Sequence, residues 1–166
     1  MKLDLEFIRL QFPAFSEPTL NGWAFFENAG GSYPCYPFIN RLTDFYLKNK
    51  VQVNYPYPAS LLAGKLMEAS YKRMADYLNV DESEIHFGPS TTQNIYVLSH
   101  AMKNMWQRND EIIVSCQDHE ANAGAWRKLE NQGFKIIEWH VDSETGLLSL
   151  EKLESLFSNK TKMVAF

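Results

Sequence analysis

Two cysteines are all the thiol chemistry that this 166-residue chain contains. Cys35 and Cys116 stand far apart without CxxC spacing, which excludes a zinc ribbon and a disulfide-stapled scaffold and points to a reducing cytoplasm. Long apolar runs are missing as well: none approaches the roughly 20 residues that span a bilayer. The opening Met1-Lys2-Leu3-Asp4-Leu5-Glu6-Phe7 carries acids early, unlike the basic-then-apolar layout of a secretory leader. There is no excess of positive charge, with 16 basic against 20 acidic residues and a net charge of −4. The signs are interspersed, so neither nucleic acid nor an anionic membrane is expected as a partner. No repeat and no Gly/Ser-rich or charge-rich tract interrupts the chain.

What the chain does have is apolar side chains, 45% of its residues, which suffices for one substantial core. Leu3, Phe7 and Leu10 recur at helical spacing up to Pro13, predicting a short first helix. Trp23 to Phe26 reads as a short strand closed by Asn28-Ala29-Gly30-Gly31. A helix is expected from Pro37 to Lys48, with Phe38, Leu42 and Phe45 on one face. Asn54-Tyr55-Pro56-Tyr57-Pro58 reads as a loop, because each proline pushes its predecessor into extended conformations. A longer helix follows from Ala59 to Leu78.

Strands and helices then alternate. Expected strands are Glu84 to Phe87, Glu111 to Ser115, Lys135 to Val141 and Lys162 to Phe166. Between them come helices over Thr91 to Trp106 (Ile95, Leu98, Met102 and Met105 inward), Glu120 to Asn131 and Leu150 to Phe157. Gly133 stops the second of these, and Asp142 to Gly146 forms a turn. This alternation predicts an α/β fold with a mainly parallel sheet and flanking helices. The final apolar strand ends the chain with nothing to cover it, so the domain reads as incomplete.

Three segments could carry chemistry. In Phe87-Gly88-Pro89-Ser90-Thr91-Thr92-Gln93-Asn94, three hydroxyls sit where a helix presents unpaired N–H groups and partial positive charge, a setting that binds phosphate. Plain capping by Ser90 or Thr91 explains the same residues, and the two uses are compatible. In Gln117-Asp118-His119-Glu120-Ala121-Asn122, a histidine follows the carboxyl end of a strand, where open α/β sheets bind their ligands. It can stack on a ring and exchange protons near neutral pH. The plainer alternative is a surface histidine beside a cap formed by Asp118. Adjacent acids at a helix start diverge, so no metal site is expected. In Glu27-Asn28-Ala29-Gly30-Gly31-Ser32, two glycines allow a close backbone approach, or simply a turn. Cys116, after a buried strand, reads as a structural thiol.

The order of these segments is more informative than any one of them. Asn-Ala-Gly-Gly-Ser is followed by Phe-Gly-Pro-Ser-Thr-Thr, then Asp-Glu-Ile-Ile-Val, then Asp-His-Glu-Ala-Asn with Trp126 close behind. The succession resembles the class V aminotransferases, in particular their cysteine desulfurase-like and selenocysteine lyase-like branch. The opening Leu5-Glu6-Phe7-Ile8-Arg9 through Phe12-Pro13-Ala14-Phe15 is similar to that branch's start.

The resemblance implies an incomplete fold type I pyridoxal-phosphate transferase large domain. Residues 1–58 would form a helical and loop segment leading into it, and 59–166 its N-terminal, truncated part. It implies that Ser90, Thr91 and Thr92 hold the cofactor phosphate, and that His119 is catalytic, stacking over the cofactor ring and helping proton transfer. Asn122 would lie close by, and Asn28, Ala29 and Gly30 would form a loop near the substrate. The complete protein would act on a small-molecule amino acid, most simply as a cysteine desulfurase-like homodimer in the cytoplasm. The cofactor-anchoring lysine and the acid facing the pyridine nitrogen belong to later segments of the family pattern, so the chain alone is expected to be inactive. The alternative is a naturally short, non-catalytic α/β protein that binds a phosphorylated metabolite or a full-length relative.

Overall fold

The structure, a computed structural model, describes residues 3–166. The chain divides into two compact units, Met1–Ile85 and His86–Phe166.

Three helices build the first unit: α1 (Leu5–Leu10), α2 (Tyr36–Asp44) and α3 (Pro58–Leu78). Asp4 caps α1, its carboxylate accepting the Phe7 N–H at 2.9 Å. Proline near the start of α2 and of α3 costs no hydrogen bond, because those amides have no partner inside a helix. The last turn of the helical stretch after α2, Phe45–Asn49, widens to π geometry. The Ser60 hydroxyl ties the proline-rich loop to α3, donating to the Gln52 carbonyl at 2.5 Å and accepting the Tyr55 N–H at 2.8 Å. Gly64 leaves room there for the Asn54 side chain, whose amide oxygen would lie 2.0 Å from a Cβ and would have to move. α3 stops at Asn79, in the left-handed region with φ 56°.

Two strands expected from the sequence do not form. Trp23 to Phe26 is irregular, with Trp23 73% and Phe26 92% exposed. An apolar run becomes a strand only when another strand satisfies its backbone, and no described residue pairs with this one. Glu84 to Phe87 is displaced by a 3₁₀ turn, Glu82–Glu84, held by a capping box in which the Glu84 carboxylate accepts the Asp81 N–H at 2.8 Å.

The second unit contains a fully parallel sheet in the order β2-β1-β3, from β1 (Glu111–Ser115), β2 (Lys135–Trp139) and β3 (Thr161–Ala165). β1, between its two neighbours, is buried at every position. Helix α4 (Thr91–Met102) precedes it, α5 (Glu120–Arg127) connects β1 to β2, and α6 (Leu150–Leu156) connects β2 to β3. α4 and α5 each run on into a 3₁₀ segment, Lys103–Met105 and Lys128–Gln132. The core joins Ile112 and Val114 of β1 with Trp126, Leu129, Phe134 and Ala165, and Ile95, Met102 and Trp106 pack against it. Leu98 and Met105, expected inward on α4, are 43% and 78% exposed. The tightening to 3₁₀ geometry after Met102 changes which side of the helix Met105 occupies.

Polar clamps hold the layers in register. Glu111, its side chain 7% exposed, opens β1; it accepts from Lys135 at 2.9 Å, Ser158 at 2.5 Å and Thr161 at 3.5 Å, and so binds the beginnings of all three strands. On α5, Arg127 grips Glu138 of β2 with two hydrogen bonds, 2.8 and 3.0 Å, and reaches Glu120 at 3.2 Å. Gly133 ends the α5 stretch at φ 94°, a conformation that a side chain strains.

Candidate functional site

α4 and α5 pack together, and at their far ends the Lys103 ammonium donates to Gln132 at 2.9 Å. Their chain directions therefore match. α5 starts just after the carboxyl end of β1, so both helices open toward the C-terminal edge of the sheet.

At the start of α4, Ser90 is the cap. Its hydroxyl oxygen accepts the Gln93 N–H at 3.2 Å, and its carbonyl accepts the Asn94 N–H at 2.9 Å. The Ser90 O–H proton stays available for donation. The N–H groups of Thr91 and Thr92 begin the helix and have no carbonyl behind them to bond. The hydroxyls of both threonines are exposed and make no hydrogen bond among the described residues. Gly88 lets the turn close: a Cβ there would lie 1.7 Å from the Asn94 side chain. Capping and a presented set of donors thus coexist at Ser90, Thr91 and Thr92, and the set matches the oxygens of a phosphate in chemistry.

At the start of α5 the cap is His119 itself, not Asp118. Its Nδ1 accepts the Ala121 N–H at 3.0 Å, leaving Nε2 to carry the proton of the neutral ring. Asp118 turns its carboxylate to two donors, the His119 N–H at 2.6 Å and Asn122 Nδ2 at 2.5 Å. Asn122 Oδ1 in turn accepts the indole N–H of Trp126 at 3.1 Å. His119 is exposed, Asn122 half-buried and Trp126 fully buried. Sequence reasoning passed over Asp118 and Trp126 as members of this group. The signal was there: residues 118, 122 and 126 are spaced by four, the interval that stacks side chains on one helical face.

The remaining candidates lie apart from these helix starts in sequence. Asn28, Ala29 and Gly30 belong to the first unit and form an exposed turn, in which the Gly30 N–H donates to Glu27 at 2.8 Å and Ser32 donates to the Asn28 carbonyl at 3.4 Å. Asn28 also borders a cleft of about 670 Å³ lined by Phe12, Phe15, Trp23, Phe25 and Tyr33. Cys116 is exposed rather than buried, because β1 ends one residue before it; its sulfur accepts the Val141 N–H at 3.3 Å. Among the described residues no group of His, Cys, Asp and Glu has metal-binding geometry, and no helix is long and apolar enough to cross a membrane.

Two electrostatic shifts support the scaffold around α5. The hydrogen bond from Arg127, with its charge, holds the Glu138 carboxyl below the usual carboxylate range, and Glu138 raises the guanidinium in return. Close to the same edge, backbone N–H groups of Thr145 and Glu144 lower Asp142, which organises the turn after β2.

Comparison with known proteins bears on the fold and the family. The chain is 33% identical over 97% of its length to an aminotransferase-like protein of Gibberella zeae, of which it covers 40%. It is 30% identical over 98% of its length to a cysteine desulfurase-like protein of Aspergillus flavus, covering 37% of it. The apo cysteine desulfurase of Thermococcus onnurineus superposes with a TM-score of 0.84 at 23% identity, over 99% of this chain and 40% of that one. A C-DES structure with glycine covalently linked to pyridoxal phosphate superposes at 0.69 and 19% identity, over 94% of this chain and 39% of that one. The chain thus spans about 40% of the length of such relatives. The parallel sheet with flanking helices is the fold of these enzymes' N-terminal portion. Residues 24–166 match the aminotransferase class-V model, and the chain belongs to that family.

Proposed function

We propose that this chain is the N-terminal part of a pyridoxal-phosphate enzyme acting on an amino acid, most simply a cysteine desulfurase-like one. The observation that carries the reading is the pair of helix starts at one edge of the sheet. One offers hydroxyls and free amides, and the other offers a histidine with a defined proton. Ser90, Thr91 and Thr92 hold the cofactor phosphate by O–H and N–H donation at the positive end of α4. His119 stacks on the cofactor ring and holds a proton at Nε2, the nitrogen its cap leaves available. Asn122 lies beside the cofactor, and its second Nδ2 proton, left over from the bond to Asp118, is the group it can offer there. Asn28 to Gly30 serve as a loop toward the substrate. When bound, the cofactor supplies an electron sink for a bond breaking at the substrate's α-carbon. A lysine further along the complete protein is the covalent anchor, and the complete protein is a cytoplasmic homodimer.

The phosphate role is tested by cofactor affinity in the complete protein. A hydrogen bond to a charged group contributes about 1.5–3 kcal/mol, so Thr92→Ala weakens pyridoxal-phosphate binding by about tenfold or more. Ser99→Ala is the control: Ser99 is fully buried on the same helix and bonds the Tyr96 carbonyl at 2.9 Å. Equal affinities for the two variants would contradict the assignment.

A further inference from the structure

Four polar groups on α5 and the turn before it are joined in one direction. The order begins at a fixed donor. The indole N–H of Trp126 can only donate, and it lies in a side chain with no exposed surface. Buried and unpaired it would lose its hydration with nothing in return, so Asn122 turns its oxygen toward it. That choice sends the Asn122 amide nitrogen the other way, onto Asp118, whose carboxylate can only accept. The second carboxylate oxygen takes the backbone N–H of His119. A second fixed donor, the Ala121 N–H, then meets the histidine ring at Nδ1. Obligate donors at both ends remove the usual ambiguity of amide flip and histidine tautomer.

We propose that Asp118, Asn122 and Trp126 are positioning residues which hold the His119 ring in a single orientation and tautomer, with Nδ1 as acceptor and Nε2–H as the nitrogen offered to a ligand. The proposal deepens the reading of His119 as the proton-handling residue and rests on it. The relay ties an exposed side chain to the buried core. Trp126 is packed among Ile112, Val114 and Leu129, so the rigidity of the sheet's helical cover is passed through two hydrogen bonds to the residue preceding His119. Arg127, next in sequence to Trp126, pins the same turn of α5 to Glu138. A neutral histidine set in this way presents Nε2–H to a ligand as a hydrogen-bond donor, because its acceptor nitrogen is already taken by the Ala121 N–H.

The test is nitrogen NMR of the complete protein with labelled histidine, without cofactor, so that its outcome is independent of pyridoxal-phosphate binding. The His119 signals are those lost in His119→Gln. At a pH where the ring is neutral, the expected wild-type pattern is one pyridine-like Nδ1 and one pyrrole-like Nε2. Trp126→Phe keeps an aromatic ring in the core and removes the N–H; it is expected to replace this pair by shifts averaged between tautomers. Trp106→Phe thins the same core, the two indole rings lying 6.3 Å apart, but sits outside the relay and leaves the His119 pattern as in wild type. If both variants keep the wild-type pattern, or both alter it equally, the relay is wrong and Trp126 is a packing residue only. Should Trp126→Phe not fold, Asp118→Ala, half-buried at the turn, is read in the same way: averaging supports the relay, and an unchanged pair overturns it.

Discussion

Glu111 carries its charge at the first position of a strand that is otherwise Ile112-Ile113-Val114-Ser115, and it is almost completely covered. Its hydrogen bond from Ser158, followed by that from Lys135, holds the carboxyl below the usual glutamate range. A carboxyl depressed in the folded state stabilises the fold above its unfolded pKa, and that stability is lost as pH falls through the folded value. The urea midpoint of the wild-type chain therefore drops as pH is lowered below about 4.3, and Glu111→Gln shows a lower midpoint at pH 7 with a shallower acid slope. Parallel slopes for the two proteins would show that Glu111 is not a major source of the acid sensitivity. Nothing in the sequence marked this residue, because its partners lie 24, 47 and 50 positions away and only strand pairing brings them together. The relay of Asp118, Asn122 and Trp126 is the opposite case. Its spacing is local and legible, and it was missed because Trp126 reads as ordinary core.

Among the elements, α4 and β1 show what periodicity can and cannot tell. The hydroxyl cluster and the preceding glycine located the start of α4 at Thr91, since the capping chemistry is local. The inward face was harder to read. Ile95 and Met102 do pack against the core, whereas Leu98, between them, does not. Three apolar residues at 95, 98 and 102 suit a helical stripe, and which edge of the stripe meets the sheet is decided by the tilt of the helix, not by its sequence. Ile112→Ala, at a fully buried position, is expected to cost about 2–5 kcal/mol of unfolding free energy in a denaturant titration. Leu98→Ala, at a half-covered one, falls well below that. Similar losses for both would return Leu98 to the core. The two strands that failed to form teach a related lesson. Trp23 to Phe26 has the composition of a strand but no partner among the described residues, and Glu84 was already committed to the capping box with Asp81.

For the whole molecule, the alternation of strands and helices after Ser90 was enough to predict a parallel sheet, and the structure contains one. The ordered motifs led further, to the family that residues 24–166 match. The units Met1–Ile85 and His86–Phe166 are defined by contacts between distant segments, whereas the boundary expected at residue 58 came from the resemblance. The large side chains left in water, Phe26 at 92%, Tyr77 at 83% and Phe166 at 77% exposed, fit the proposal that the working protein is longer, as its relatives are. They also set the scale at which the function has to be tested, since the donors proposed at Ser90, Thr91 and Thr92 would meet only one end of the cofactor.

The most direct test of the central claim is therefore the visible absorbance of the complete protein during titration with pyridoxal phosphate. The account predicts that a cofactor band appears and saturates, disappears on borohydride reduction as the link to a lysine is fixed, and needs more cofactor to saturate in Thr92→Ala. A complete, soluble, folded protein that gains no band at any cofactor concentration would contradict it.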